Sequence, residues 1–459
     1  MPASLDRHAS DAVSPAEADD APYPRPILGW FAVAVLLLAY ISSFIDRQIL
    51  GLLVTPIRRD LDISDTQMSL LMGLAFALFY TIVGVPVARL ADSRSRRGII
   101  AWGIAVWSLM SAACGLAHTY GQLLLGRFGV GVGEAALSPP GYSLIADYFP
   151  PARLATALSV YSTGIYLGSG LANVIGGAVI GFADRGQMVH WPLVGEVRAW
   201  QSVFFVIGLP GLLIALLMCL VPEPPRRGVA RARMRIPIAS VVGYLRANAR
   251  TFFTHNVGLG LISLVNFGTA AWLPTWLIRV HGWTPARAGL TLGPITMVFG
   301  SLGIVGGGWL ADRMRARGHS DAKMRVCLMS AVGQLITGVL YLTAPNTTLA
   351  LFWFAPFSVF AAGPFGAGAA AVQEITPDRM RAQLSSVYLL VINLLGLGVG
   401  PTAVAAMTDF VFHDPQAVGH AILGVTIIGL TGACAVLASG LGAYRRSLAY
   451  RAAWMRNAT

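Results

Sequence analysis

From Ile27 onward the chain alternates two textures: apolar runs of about 20 residues, each long enough as a helix to cross a hydrocarbon layer roughly 30 Å thick, and short polar or Gly/Pro-containing turns between them. Runs such as VLLLAYISSF, from Val35, and IGLPGLLIALLMCLV, from Ile207, lack the apolar/polar alternation that strands of a membrane barrel carry. The predicted elements are therefore helices. Twelve spans follow, over 27–53, 66–90, 98–118, 121–147, 153–181, 200–222, 252–279, 286–311, 324–344, 348–374, 380–411 and 416–443. The longest polar interruption, which begins at VPEPPRRGVARARMR from Val221, divides six spans from six. The pattern predicts an all-α polytopic membrane protein: a polar tail over 1–26, a six-helix bundle over 27–222, a linker over 223–251, a second bundle over 252–443 and a basic tail over 444–459.

Composition agrees, since 55% of residues are apolar and only 12% charged, against about a quarter charged in soluble domains. The net charge of +12 would suit a nucleic-acid binder, but its distribution points elsewhere. With the N-terminus inside, 24 of the 33 basic residues fall in inner segments and six in outer loops, as the positive-inside rule requires. The charge reports orientation, and no nucleic-acid partner is expected. Residues 1–26 have no apolar core or small-residue cleavage site, so they read as a disordered tail rather than a signal peptide. Cys114, Cys219, Cys327 and Cys434 all fall within spans without metal-like spacing, so neither a metal nor a disulfide framework is expected. An intramembrane enzyme would need a reactive constellation such as HExxH or GxSxG, and an ATP-driven pump a Walker loop; the sequence contains none of these, so neither enzyme activity nor a cofactor is expected.

The two halves echo each other. VARLADSRSRRG, from Val87, follows the second span and GGWLADRMRARG, from Gly307, the eighth, so that Asp92 and Asp312 occupy one local frame. FPPARLA, from Phe149, and ITPDRMR, from Ile375, both join the fourth and fifth spans of their halves. Parallel six-helix repeats with a substrate site between them are a recurring transporter architecture. The LADSRSRRG stretch resembles the loop 2–3 signature of the major facilitator superfamily, G-x-L-A-D-R-x-G-R-R, with Ala88 and Ser95 as departures. The resemblance implies twelve helices in two pseudo-symmetric bundles and a conformational gate at Asp92, Arg96, Arg97 and Asp312. GIYLGSGLANVIGG, from Gly164, and GLGVGPTA, from Gly396, resemble the glycine-rich motif of its antiporter members.

Within that superfamily, F-x-D-R at Phe44–Arg47, G-R-x-x-x-G-x-G-E-A at Gly126–Ala135, I-A-D-x-F at Ile145–Phe149 and G-S-G-L at Gly168–Leu171 resemble the spinster branch. That branch implies a bacterial-type, proton-coupled exporter of lysolipid-like molecules, working by alternating access as a monomer in the inner membrane with both termini cytoplasmic. Its partners would be the bilayer, the proton and an amphipathic or anionic small molecule. The runner-up is a proton symporter for a small organic acid or sugar acid, with Arg127 as the carboxylate anchor.

Ionisable groups are costly within a bilayer and so mark function. Arg127 and Glu134 are seven residues apart, on nearly one helix face and separated by roughly 10 Å of rise. Arg127 falls in the outer third, at a depth similar to Asp46, so an Asp46–Arg127 pair is expected. Glu134 is expected near mid-membrane without a permanent partner; desolvation favours the neutral form of such a carboxyl, making Glu134 the leading proton carrier and Asp46 the second. Arg127 and Arg47 are each expected as a charge partner or head-group anchor, Arg47, pointing about 100° from Asp46, with an interfacial partner as the alternative. Tyr161, Tyr166, Asn173, Asn266, Trp272, Trp276, Phe365 and Asn393 are cavity candidates, with helix packing as the competing reading. His255 is expected near the interface.

Overall fold

The computed structural model describes residues 23–183, 189–191, 194–226, 238–377 and 380–457. The expected N-terminal tail falls outside the described residues as far as residue 22, as do residues 227–237 of the linker.

Helices α1 (Pro26–Gln48) and α2 (Leu50–Leu61) make the first span and part at Ile49. The second runs from α3 (Asp65–Ser69) through a π-helical turn at Leu70–Leu74 into α4 (Ala75–Ser93). Then come α5 (Arg96–Cys114), α6 (Tyr120–Glu134), α7 (Ser138–Tyr148), α8 (Pro151–Ser162) and α9 (Gly164–Ala183). A small antiparallel hairpin, β1 (Val189–Trp191) and β2 (Gly195–Val197), adds to the helical pattern before α10 (Ala199–Leu220). The second half comprises α11 (Ile238–Ala247), α12 (Ala249–Arg279), α13 (Pro285–Ala316), α14 (Ala322–Leu342) and α15 (Thr347–Ile375). Its eleventh span is α16 (Arg381–Asn393), a π turn at Leu394–Val399, α17 (Gly400–Ala406) and a second π turn at Met407–Phe412; α18 (Val418–Asn457) closes the chain.

Among the described residues, 11 helical stretches are long and apolar enough to cross a membrane. The twelfth span is α6 followed by α7, and its interruption follows from the sequence Leu137-Ser138-Pro139-Pro140. Proline has no N–H to continue the helical ladder, and the chain tightens ahead of it: Ala136 donates to Gly133 and Leu137 to Glu134, both at 3.1 Å. Glu134 is thus the last residue of a half-helix.

Helix extends into two of the segments predicted as linker and tail. The linker predicted over 223–251 contains α11, and α12 already begins at Ala249. The tail predicted from 444 is the end of α18 as far as Asn457. Its run of Ala, Leu, Arg and Met favours helix, and side chains anchor it, with Thr251 Oγ1 and Ser447 Oγ 2.7 Å apart and the Arg451 guanidinium donating to the Glu374 carbonyl at 3.0 Å.

The halves repeat one packing plan. α1 lies on α9, α5 on α10 and α4 on α6; six spans later the eleventh span lies on α12, α14 on α18 and α13 on α15. Between halves, α9 packs on α13, and the π turn of the second span packs on that of the eleventh. Small residues permit this approach: a Cβ on Gly177 would meet the Ala286 and Pro285 carbonyls at 3.1 Å. At the end opposite the linker, polar contacts tie the halves together. The Arg279 guanidinium forks onto both oxygens of buried Asp65 at 2.7 and 2.8 Å, with Arg58 on the same carboxylate at 2.9 Å. The Thr66 N–H and hydroxyl both donate to Asp409 at 2.7 Å, and Thr275 donates to the Gly51 carbonyl at 3.2 Å.

Candidate functional site

The first and fourth spans bring four charges together inside the first half. Asp46 and Arg47 lie in the last turn of α1, just before Ile49; Arg127 and Glu134 lie on α6, which ends at Glu134. Arg127 is fully buried and donates through Nη1 to Asp46 Oδ1 at 2.5 Å. Its Nε donates to the Leu71 carbonyl at 3.3 Å. Leu71 sits in the π turn of the second span, where the altered ladder turns a carbonyl toward a side chain.

The second pair departs from the sequence expectation. Glu134 has partners: the Arg47 Nε at 2.7 Å and the Ser43 hydroxyl at 2.5 Å, both on Oε2. Its other oxygen, Oε1, has no hydrogen-bond partner among the described residues, and neither has Arg127 Nη2. Nor does Arg47 serve a separate interfacial partner. Its guanidinium lies over the rings of Phe76 at 4.6 Å and Phe44 and Tyr80 at 5.0 Å, an aromatic platform that steers it to Glu134. The reach and flat stacking of an arginine overrode the angular argument made from backbone alone. Glycines of α6 let neighbours close around the charges; a Cβ on Gly133 would meet the Trp107 nitrogen at 2.5 Å and the Gly103 carbonyl at 2.8 Å.

The site faces the seam between halves. Arg47, Gln48 and Met72 of the first half line a narrow cleft together with Phe267, Leu397 and Pro401 of the second. Beside it stands an aromatic wall: Tyr40 stacks on Tyr161 at 4.5 Å, Tyr142 meets Tyr161 edge-on at 5.4 Å, and the Tyr80 hydroxyl is 3.4 Å from Ser138 Oγ. Gln48, Met72, Phe267, Tyr40, Tyr80 and Tyr142 were missed by sequence reasoning, because apolar and aromatic positions on spans look alike whether they face lipid, core or cleft.

The remaining cavity candidates scatter. Tyr161 is buried within the aromatic wall. Tyr166 packs under Gly300 between halves, and Asn173 donates to the Ser169 carbonyl of its own helix at 3.1 Å. Asn266 takes Gln334 at 2.5 Å and donates to Ala361. Trp272 is buried and donates to the Pro401 carbonyl at 2.9 Å, while Trp276 packs on His281 and Tyr341 within the second half. Phe365 and Asn393 are half-buried. His255, in the second turn of α12, is fully buried, with ring nitrogens 2.9 Å from Asn256 Oδ1 and 3.0 Å from the Gly368 carbonyl.

At the linker end, the side chain of Asp92 lies outside the described residues, and Asp312 is exposed on α13. Arg96 is buried and bonds Asp147, the Ser143 hydroxyl at 3.0 Å and Glu223 at 3.0 Å. Glu223 also accepts from the Arg97 N–H at 2.9 Å and the Ser95 hydroxyl at 2.9 Å, so a carboxylate caps the N-terminus of α5. Burial pushes Glu223 up, but the Arg97 N–H, the Arg96 guanidinium and the Ser95 hydroxyl outweigh it and hold its carboxyl below the ordinary value. Asp147 and Glu223 were not among the expected site residues here; the signal was an acid at each of two span exits.

Comparison with known proteins agrees with this geometry. The chain is 28% identical over 443 residues to an MFS-type efflux pump of Mycolicibacterium smegmatis, covering 94% of this chain and 97% of that one. It is 28% identical to protein spinster homolog 1 of Bos taurus, over 84% of this chain and 74% of that protein. It is 25% identical to a probable L-galactonate transporter of Escherichia coli, over 70% and 69%. Among solved structures, a bacterial homologue of the human lysosomal transporter spinster, in an inward-facing and occupied conformation, superposes with a TM-score of 0.71 at 27% identity, covering 92% of this chain and 97% of that one. The sequence profile of the Major Facilitator Superfamily matches residues 36–401. That match spans most of the sequence and the fold is shared with the solved relative, and the chain belongs to the Major Facilitator Superfamily.

Proposed function

We propose that this chain is a proton-coupled secondary transporter that exports an amphipathic, lipid-like or drug-like molecule by alternating access, from a bacterial inner membrane with both termini cytoplasmic. The observation that carries this reading is the interlock of the first and fourth spans: Asp46 with Arg127, and Arg47 with one oxygen of Glu134, beside the cleft between halves. Discontinuous helices at a repeat interface are where transporters place coupling ions and substrates. The unpartnered Oε1 of Glu134 is the atom at which a proton would be taken up. A neutral Glu134 holds Arg47 less strongly, and Arg47 is then available to a phosphate or carboxylate entering the cleft. The polar ties at the far end, with the linker as the cytoplasmic marker, correspond to a state sealed outside, in keeping with its inward-facing structural relative.

An amphipathic cargo is favoured by Tyr142, which is 39% exposed against the buried Tyr40–Tyr161 stack and offers an apolar ring face with a polar hydroxyl. Its runner-up, a sugar-acid symporter anchored on Arg127, draws on the L-galactonate relative and on a hexuronate transporter of Bacillus subtilis, 25% identical. The full burial of Arg127 against Asp46 counts against that anchor. Proteoliposomes supplied in turn with a fluorescent lysophospholipid and with a sugar acid test the reading. Saturable lysophospholipid flux that collapses with the proton gradient, and in Glu134→Gln, is expected. Gradient-driven flux of the sugar acid alone would transfer the assignment to the runner-up, and gradient-independent flux of both would overturn proton coupling.

A further inference from the structure

At the end opposite the linker, one carboxylate is shared by two arginines that belong to different halves. Asp65 of the first half is fully buried. The Arg279 guanidinium, from the last turn of α12 in the second half, forks onto both of its oxygens, while Arg58 Nη1, from α2 of the first half, lies 2.9 Å from Oδ1. Two neighbouring acids are engaged elsewhere: Asp60 with Trp200 Nε1 at 2.9 Å and with Arg59 and Arg198, and Asp409 with Thr66. The two arginines differ in what else holds them. Arg58 and Asp65 are fixed to one turn, which passes through the left-handed Asp62. Arg58 Nε donates to the Ile63 carbonyl at 2.9 Å, the Ile63 N–H donates back to the Arg58 carbonyl at 3.4 Å, and the Ser64–Gln67 capping box starts α3 at Asp65. Arg279 is tied to its own half, donating to the Pro415 carbonyl at 3.4 Å with its guanidinium 5.9 Å from the Trp272 ring.

A rigid-body separation of the halves therefore removes Arg279 from Asp65 and leaves Arg58 in place. A buried carboxylate stripped of its cation is strongly destabilising, and Arg58 spares Asp65 that condition. Arg279 for its part leaves with the Pro415 carbonyl, the Trp272 ring and the negative end of the α12 dipole. While the halves are joined, two like charges crowd one carboxylate and repel each other, so Arg58 also weakens the hold of Arg279. Both effects act in one direction, toward release. We propose that Arg58 is a resident counter-ion for Asp65 that makes the far-end lock releasable, so that it works against Arg279 in the conformational balance although both bond the same acid. This rests on the reading of the chain as an alternating-access carrier.

Ser69, one turn further along α3, is fully buried and donates toward the Thr402 hydroxyl of the second half at 3.3 Å. A cysteine there meets an impermeant thiol reagent added outside when the lock releases. The test is the modification rate of Ser69→Cys in the full-length protein, lacking its four native cysteines, in right-side-out membrane vesicles. No substrate or proton gradient is supplied, and the rate is followed over hours so that a small released population is counted. Arg279→Gln is expected to raise the rate roughly tenfold or more, because it breaks a buried pair. Arg58→Gln is expected to lower it severalfold, and Arg58→Met, which keeps the apolar stem, gives the same reading if Arg58→Gln fails to fold. With Arg279→Gln already present, Arg58→Gln should no longer slow the reaction. A rate that rises or stays unchanged in the single Arg58 variants, while Arg279→Gln raises it, makes Arg58 a plain clamp or a bystander and overturns the proposal. A cysteine that stays unreactive in Arg279→Gln as well contradicts the alternating-access reading itself, because this end then does not open.

Discussion

Glu134 is held through Oε2 by Arg47 and Ser43, with Oε1 unpartnered among the described residues, while Asp46 is bonded through Oδ1 to Arg127. A buried ion pair is stabilising chiefly relative to its own half-broken form. Asp46→Leu and Arg127→Met should therefore each cost about 3–5 kcal/mol, while the double variant costs clearly less than either single change, as thermal unfolding in detergent would show. Additive losses would mean that the pair is not a unit. Glu223 makes a pH prediction. Its folded-state carboxyl lies below the ordinary value, so its contribution is fully present above an unfolded pKa of about 4.3 and fades as pH falls through the lower folded value. Glu223→Gln should be less stable than the parent at neutral pH and converge with it on acidification, measured as the difference in unfolding midpoint across pH. The Asp46–Arg127 contact was legible because opposite charges at one depth on antiparallel spans have few other partners. The Arg47–Glu134 contact was not, because its direction is set by Phe44, Phe76 and Tyr80, which only the fold assembles.

At the scale of elements, hydropathy reported the spans but not their interruptions. α6 and α7 read as one apolar run, although Pro139-Pro140 already carried the reason for the break. The π turns of the second and eleventh spans, which face each other across the seam, have no sequence signature that distinguishes them from α-helix. Hydropathy likewise left the end of α18 as a tail, because helix continues there on propensity and anchoring after apolarity stops. The glycine-rich stretches were legible as close-packing faces, and the structure puts one of them between halves. A Cβ on Gly289 of α13 would run into the backbone of Asn173 on α9, a contact that cannot relax by a rotamer change. Gly289→Val should therefore loosen the α9–α13 seam and raise the reactivity of a cysteine placed at Thr66 toward an impermeant thiol reagent, severalfold over the parent. Unchanged reactivity would show that this seam does not hold the far end shut.

For the whole molecule, the internal echoes around Asp92 and Asp312 already implied two halves, and the structure repeats their helix pairs six spans apart. What no echo conveyed was the asymmetry: the interlocked charges lie in the first half, while the far-end lock joins Asp65 of one half to Arg279 of the other. Alternating access requires that lock to open when the linker end closes, and the account makes Glu134 the group through which protons bias the choice. Spin labels at the exposed positions Ser159 of α8 and Gln383 of α16, read by pulsed electron resonance at acidic and alkaline pH, report the separation of the halves at the linker end without any substrate. If Glu134 takes up the coupling proton, the distance distribution shifts with pH in the parent and is the same at both pH values in Glu134→Gln; a Glu134→Gln protein that kept the full pH-dependent shift would contradict that role.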